Sequence, residues 1–205
     1  MDNEHRLLEL AGVWIQAAGT AISAIGNTII LKEKTIIAEE VGTKLVIYGN
    51  GLEATGNSFQ AIATSKEFEN TDGQSLSILG SWFQAGGNMT NVVAGTLSLK
   101  GLDREGNELD IIGDSLQSIG ALFEAYAETL SKEEFSQLKL TGLSLQSAGA
   151  LLEAVGVVYV LKGKEEVGEQ IETFGSYAQT AGATIAAIAT TKQYEYDSKK
   201  FHLGD

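Results

Sequence analysis

Glycine recurs every seven residues through most of this chain, and proline is absent altogether. Without proline the strongest helix breaker is missing, which favours long helices. The 24 glycines pull the other way, since each costs roughly 1 kcal/mol relative to alanine inside a helix. Their placement therefore has to offset that cost. Self-comparison finds one pattern six times: GVWIQAAG from Gly12, GNGLEATG from Gly49, GSWFQAGG from Gly80, GDSLQSIG from Gly113, GLSLQSAG from Gly142 and GSYAQTAG from Gly175. The copies lie about thirty residues apart, a period typical of repeat architectures.

Within each copy a second glycine follows the first by seven, giving the pairs Gly12/Gly19, Gly49/Gly56, Gly80/Gly87, Gly113/Gly120, Gly142/Gly149 and Gly175/Gly182, with Gly26 and Gly156 extending the series. A stripe of this kind lets neighbouring helix backbones approach more closely than leucine packing allows, so these glycines are the expected helix-packing residues. With glycine at heptad position a, position d is usually large and apolar, as at Ile15, Leu52, Phe83, Leu116, Leu145 and Ile185. Position e is Gln16, Glu53, Gln60, Gln84, Gln117, Gln146 or Gln179, and b is often polar. On a helical wheel c, g, d and a form one apolar arc, expected to be buried, with e and b opposite it. The recurring glutamine reads either as an amide bonding across a helix interface or as an exposed helix former.

Charges cluster between the copies, at 32–34, 66–72, 100–110, 131–134 and 162–169, and mark the turns. Ser131–Glu134 has the form of a capping box opening the fifth helix, and Gly101 and Gly163 stand where C-terminal helix caps are expected. The fold expected is all-α: six long antiparallel helices, in a bundle or a layered repeat, packed through heptad-spaced Gly/Ala stripes. The approximate units are 5–32, 36–67, 73–100, 107–130, 132–162 and 165–196 of one domain spanning 1–205, with a split near 101–107 as the alternative.

The wording of Gly12–Thr28, GVWIQAAGTAISAIGNT, resembles that of repetitive, functionally uncharacterised proteins of Bacillus-type bacteria, most clearly over this first unit and more loosely through the rest. The resemblance implies a bacterial cytoplasmic or cell-associated helical repeat protein. It implies no activity and no functional residues.

Composition narrows the function classes. The chain has no cysteine, so disulfides, thiolate metal sites and cysteine nucleophiles are excluded. A formal charge of −13 opposes nucleic-acid binding through phosphates and repels anionic membrane surfaces. The acidic N-terminus does not read as a cleaved signal, so a cytoplasmic location is expected, with a peripheral membrane one as the variant. Ala11–Leu31 is long enough to span a bilayer but carries Gln16, Thr20, Ser23 and Asn27, and reads instead as a buried amphipathic helix.

No motif carries chemistry. His5 and His202 lie at opposite chain ends. GNGLEATGN at Gly49–Asn57 has phosphate-loop glycine spacing but Asn57 where the lysine should stand. DREGNELD at Asp103–Asp110 has its glycine at the wrong offset for a calcium loop and reads as a solvated acidic turn. The helical carboxylates Glu53, Asp110, Asp114, Glu124, Glu128 and Glu153 look scattered over polar faces. Trp14, Trp82 and Tyr177 sit at position c, at the edge of the apolar arc, as core packing or as a surface for a partner. The expected function is that of a non-catalytic structural or protein-interaction repeat, self-assembling or bound to another protein, without cofactor, metal or nucleic acid. The alternative is a membrane-active bundle whose apolar arcs enter a bilayer. An enzyme would instead show buried carboxylates converging on one cavity.

Overall fold

The computed structural model describes residues 3–66 and 71–203. They form six helices, α1 (Asn3–Lys32), α2 (Ile36–Lys66), α3 (Asp72–Ser98), α4 (Asp103–Leu130), α5 (Ser136–Leu161) and α6 (Glu165–Leu203). Among the described residues there is no strand. Threonines cap the starts of α2 and α3. Thr35 Oγ1 accepts from Ala38 N at 3.2 Å and Thr71 Oγ1 from Gln74 N at 3.3 Å. Gly101 and Gly163 take φ of 77° and 72° beyond α3 and α5, a left-handed conformation that glycine adopts without a Cβ clash. The Leu102 N–H then reaches back to Leu97 O, and Lys164 N to Tyr159 O, closing the helix ends.

Two local expectations are corrected. Ser131 accepts from Glu133 N, two residues on, so the segment is a hydroxyl-stabilised turn and α5 starts only at Ser136. Asp103–Asp110 is no turn but the opening of α4, with Asp103 and Glu105 favourably placed in its first turn.

Among the described residues each helix packs against its chain neighbours, and α6 packs back against α1. Six antiparallel helices thus close into a ring. Its interfaces alternate between two kinds. Inside each hairpin (α1/α2, α3/α4, α5/α6) the glycines face one another: Gly12 meets Gly56, Gly19 meets Gly49, Gly80 meets Gly120, Gly87 meets Gly113, Gly142 meets Gly182 and Gly149 meets Gly175. A Cβ added at Gly19 would lie 2.7 Å from Gly49 O, closer than side-chain carbons approach a backbone. The backbones themselves therefore form these seams. Between hairpins the contacts vary: Ser118 meets Ser147 where α4 packs on α5, Gly95 of α3 lies against Ile47 of α2, and Trp14 and Tyr177 bridge α1 and α6.

The wheel reading is overturned in one respect. Positions b and e are buried, while c and g face outward. The buried apolar residues are alanines apart from Val13, Leu143 and Val157, and the largest fully buried side chains include Gln146, Asn57 and Asn88. Trp14, Ile25, Trp82, Leu122, Tyr126 and Leu151 are exposed. The c and g members of the apolar arc lie outside, while the glycines at a stay buried in the seams. Geometry explains this: a helix held by a hairpin partner along a and by the next hairpin along f directs e and b into the ring, leaving c and g on its outer surface.

Candidate functional site

The ring encloses a polar column. At its centre lie Gln16 of α1, Gln84 of α3 and Gln146 of α5, each four residues after the first glycine of its tract. The Gln16 Nε2 donates to Gln146 Oε1 at 2.8 Å and to Gln84 Oε1 at 3.3 Å, and Gln60 Nε2 donates to Gln16 Oε1 at 2.8 Å. Four helices are thereby tied through amides across the interior, where such bonds are strengthened by the low dielectric.

Towards the α1–α2 turn the column becomes acidic. Ser23 Oγ donates to Glu53 at 3.0 Å, Asn91 Nδ2 to Asp114 at 2.6 Å, and Gln179 Nε2 to Glu153. Glu53, Asp110, Asp114, Glu153 and Glu172 line one cavity of ≈ 30 Å³, room for a water or two, and no basic side chain is among its lining residues. Asp110 and Glu172 reach it from α4 and α6 without a hydrogen bond or ion pair to any of the described residues.

Lys34 of the α1–α2 turn pairs with Glu169 of α6 at this end, and the opposite end also carries both signs. Glu124 accepts from Ser81 at 2.8 Å and Gln84 at 2.9 Å. The Lys139 Nζ lies 3.1 Å from Glu128 and 3.4 Å from Glu9, joining α5 to α4 and α1, and Arg6 pairs with Asp197 at 3.1 Å. Neighbouring protein atoms partly desolvate the Glu133 carboxyl and raise it above its ordinary range against the pull of Lys139, although the residue still reaches solvent. Among the described residues no group of three or more His, Asp or Glu is arranged to hold a metal ion.

The carboxylates that looked scattered in sequence thus converge. Glu53, Asp110, Glu124, Glu153 and Glu172 all occupy position e, four residues after a glycine, and Asp114 follows one directly at b. They share the glutamine register, and that periodicity is the signal that could have placed them inside. Trp14, Trp82 and Tyr177 are exposed by 46%, 47% and 51%. Each has an apolar outward body, while the polar tips of two are tied down: Trp14 Nε1 to Thr191 Oγ1 and Tyr177 OH with Thr28 Oγ1, both at 3.1 Å. Gly49–Asn57 lies mid-helix in α2 with Gly51 on no neighbour, so it forms no anion loop. His5 opens α1, and the side chain of His202 lies outside the described residues.

A family model matches residues 7–193, nearly the whole ring. The chain belongs to DUF6944, a family of unknown function. No curated protein and no solved structure matches it. For this DUF6944 chain any functional reading therefore rests on its own geometry. The match runs from α1 into α6 and takes in all three glycine hairpins together with the glutamine layer.

The outer surface of the DUF6944 ring has a defined band. Within 10–31 of α1, 45–65 of α2, 73–99 of α3, 109–130 of α4, 137–161 of α5 and 167–191 of α6, no exposed residue is charged. Each stretch exceeds about 20 residues, roughly 30 Å of helix. Two helices, Glu4–Lys32 and Ser136–Leu161, are by length and composition alone apolar enough to cross a membrane, though about half of each is buried. Whole-helix hydropathy averages over two unlike faces, so the inward Asp, Glu, Gln and Asn residues lower it elsewhere.

Proposed function

We propose that this protein is a non-catalytic helical ring that resides in a lipid bilayer, its c and g residues against lipid and its b and e residues around a polar interior. The observation that carries this reading is the uncharged outer band on all six helices, whose length matches the hydrocarbon thickness of about 30 Å. In water, burying glutamines and carboxylates while exposing Trp, Ile and Leu would reverse the favourable direction of both transfers. In lipid both become favourable, and small-residue seams are the packing that helices use there. The band encircles the ring, which favours lipid over a single protein partner on one face. The five carboxylates do converge, the arrangement expected of an enzyme, but on a cavity with room for a water or two rather than an organic substrate.

The test is flotation of the purified full chain on a density gradient after reconstitution with phosphatidylcholine vesicles. Co-flotation that survives carbonate extraction supports residence in the bilayer. Lipid-free protein that stays soluble and sediments as a defined oligomer or filament would place further copies of the chain against the band, making assembly the function instead.

A further inference from the structure

The ring is closed, its exterior is uncharged over a bilayer's thickness, and its interior is largely polar, with Val13, Leu143 and Val157 interspersed at b positions. Ionisable side chains within a membrane mark ion pathways and proton relays. Here they occupy both halves of the column: Glu53, Asp110, Asp114, Glu153 and Glu172 on one side of the glutamine layer, Glu124 and Glu128 on the other. Several buried polar atoms along the column also lack protein partners. Gln146 Nε2 is unpaired in the central layer, on a residue 2% exposed. Further along, Glu128 Oε2 and Thr190 Oγ1 are unpaired, on residues 8% and 7% exposed that line cavities of ≈ 480 Å³ and ≈ 70 Å³ at the Lys139 end. Orphaned groups of this kind call for ordered water. The two end cavities and the water-sized acidic one leave room for such water on both sides of the glutamine layer.

We propose that the interior of the ring conducts protons across the bilayer through its carboxyl groups and the water between them; this rests on the membrane reading above. A proton taken up by Asp110 or Glu172 passes through water to Asp114, Glu153 or Glu53, crosses the glutamine layer at the unpaired Gln146 Nε2, where a water has to enter between the amides, and leaves by way of Glu124 and Glu128. Each hop forms one O–H bond and breaks another, and the transmembrane proton gradient drives it without a redox partner. A metal cation is disfavoured on three counts. No described cluster is arranged to hold one, amide hydrogen bonds close the middle, and the Lys139 ammonium stands in the far half.

The experiment uses the full chain in phosphatidylcholine vesicles enclosing a pH-sensitive dye, with a potassium gradient and valinomycin setting the potential. Wild-type vesicles should dissipate an imposed pH difference at least about tenfold faster than protein-free ones, and Asp110→Asn/Glu172→Gln should remove most of that gain. The replaced side chains make no hydrogen bond, so the ring should form unchanged, which flotation of the same vesicles verifies. Wild-type protein that floats but leaves the pH difference intact overturns the proposal while sparing the membrane reading. A variant that floats and conducts like wild type overturns the assigned route, and sodium flux as fast as proton flux, measured in vesicles without valinomycin, overturns proton selectivity. Failure to float removes the membrane reading itself.

Discussion

Ser118 and Ser147 clasp α4 to α5 reciprocally: each Oγ lies 3.0 Å from the other's backbone carbonyl, and the two hydroxyls lie 3.0 Å apart. Both residues occupy position f, where one hairpin meets the next. The closed ring depends on side chains this small.

Replacing either serine by alanine should cost only about 1 kcal/mol, because the target carbonyls keep their helical partners. Valine at either position should cost more, about 1–3 kcal/mol, since extra methyls force the helices apart. Denaturant titration in detergent checks the order. A Ser118→Val protein as stable as Ser118→Ala would mean that α4 and α5 are not in contact there.

The glycine seams make a sharper contrast. Gly19→Ala places a Cβ 2.7 Å from Gly49 O and 2.8 Å from Glu53 N, so one backbone must move and about 1–3 kcal/mol should be lost. Gly51 and Gly86 have nothing within 4 Å, and alanine there should stabilise the protein by about 0.5–1 kcal/mol through helix propensity. Thermal unfolding of the three single variants measures this. Equal effects at all three positions would show that the seams do not exist.

Gln16 is the hub of the central layer, donating to Gln84 and Gln146 and accepting from Gln60. Gln16→Leu should destabilise the ring by about 1–3 kcal/mol or more, because it leaves buried amides without partners, although in an ordinary core leucine would be the better residue. A stabilised variant in the same unfolding assay would contradict the polar interior.

Lys139 and Glu128, with side chains only 17% and 9% exposed, depend on one another. Lys139→Met should cost about 3–5 kcal/mol by leaving a buried carboxylate without its cation. Adding Glu128→Gln should recover much of that loss, and a double-mutant cycle gives the coupling. Additive effects would mean that the pair is independent.

The helices, their antiparallel order and the glycine seams were legible because they follow from local rules: no proline, capped turns and a seven-residue register. Gly101 and Gly163 could be placed by inspection for the same reason. The direction of the register was not. An apolar arc says which residues share an environment, and only an assumption about the solvent says whether that environment is inside or out. Taking water as the solvent put Trp14 and Trp82 at the core edge and left Glu53 and Asp114 on polar faces, whereas the ring places them the other way round. The glutamines held the clue, since an amide at one heptad position in helix after helix serves little purpose at an exposed site. Closure of α6 onto α1 had no local signal, because it joins segments far apart in the chain through contacts such as Thr28 with Tyr177.

Because the chain contains no cysteine, single cysteines can be introduced at will, and the direction of the register can be measured residue by residue. Spin labels at Trp82, Ala85, Gly86 and Met89 of α3, in vesicle-reconstituted protein, would report collisions with lipid-soluble oxygen and with a water-soluble nickel complex. Strong oxygen access at positions 82, 86 and 89, low access at 85 and little nickel access at any of them is the predicted pattern, with the apolar side of the helix in lipid. Nickel access at 82, 86 and 89 equal to that of labels in the α3–α4 turn would put the outer surface in water and contradict the account.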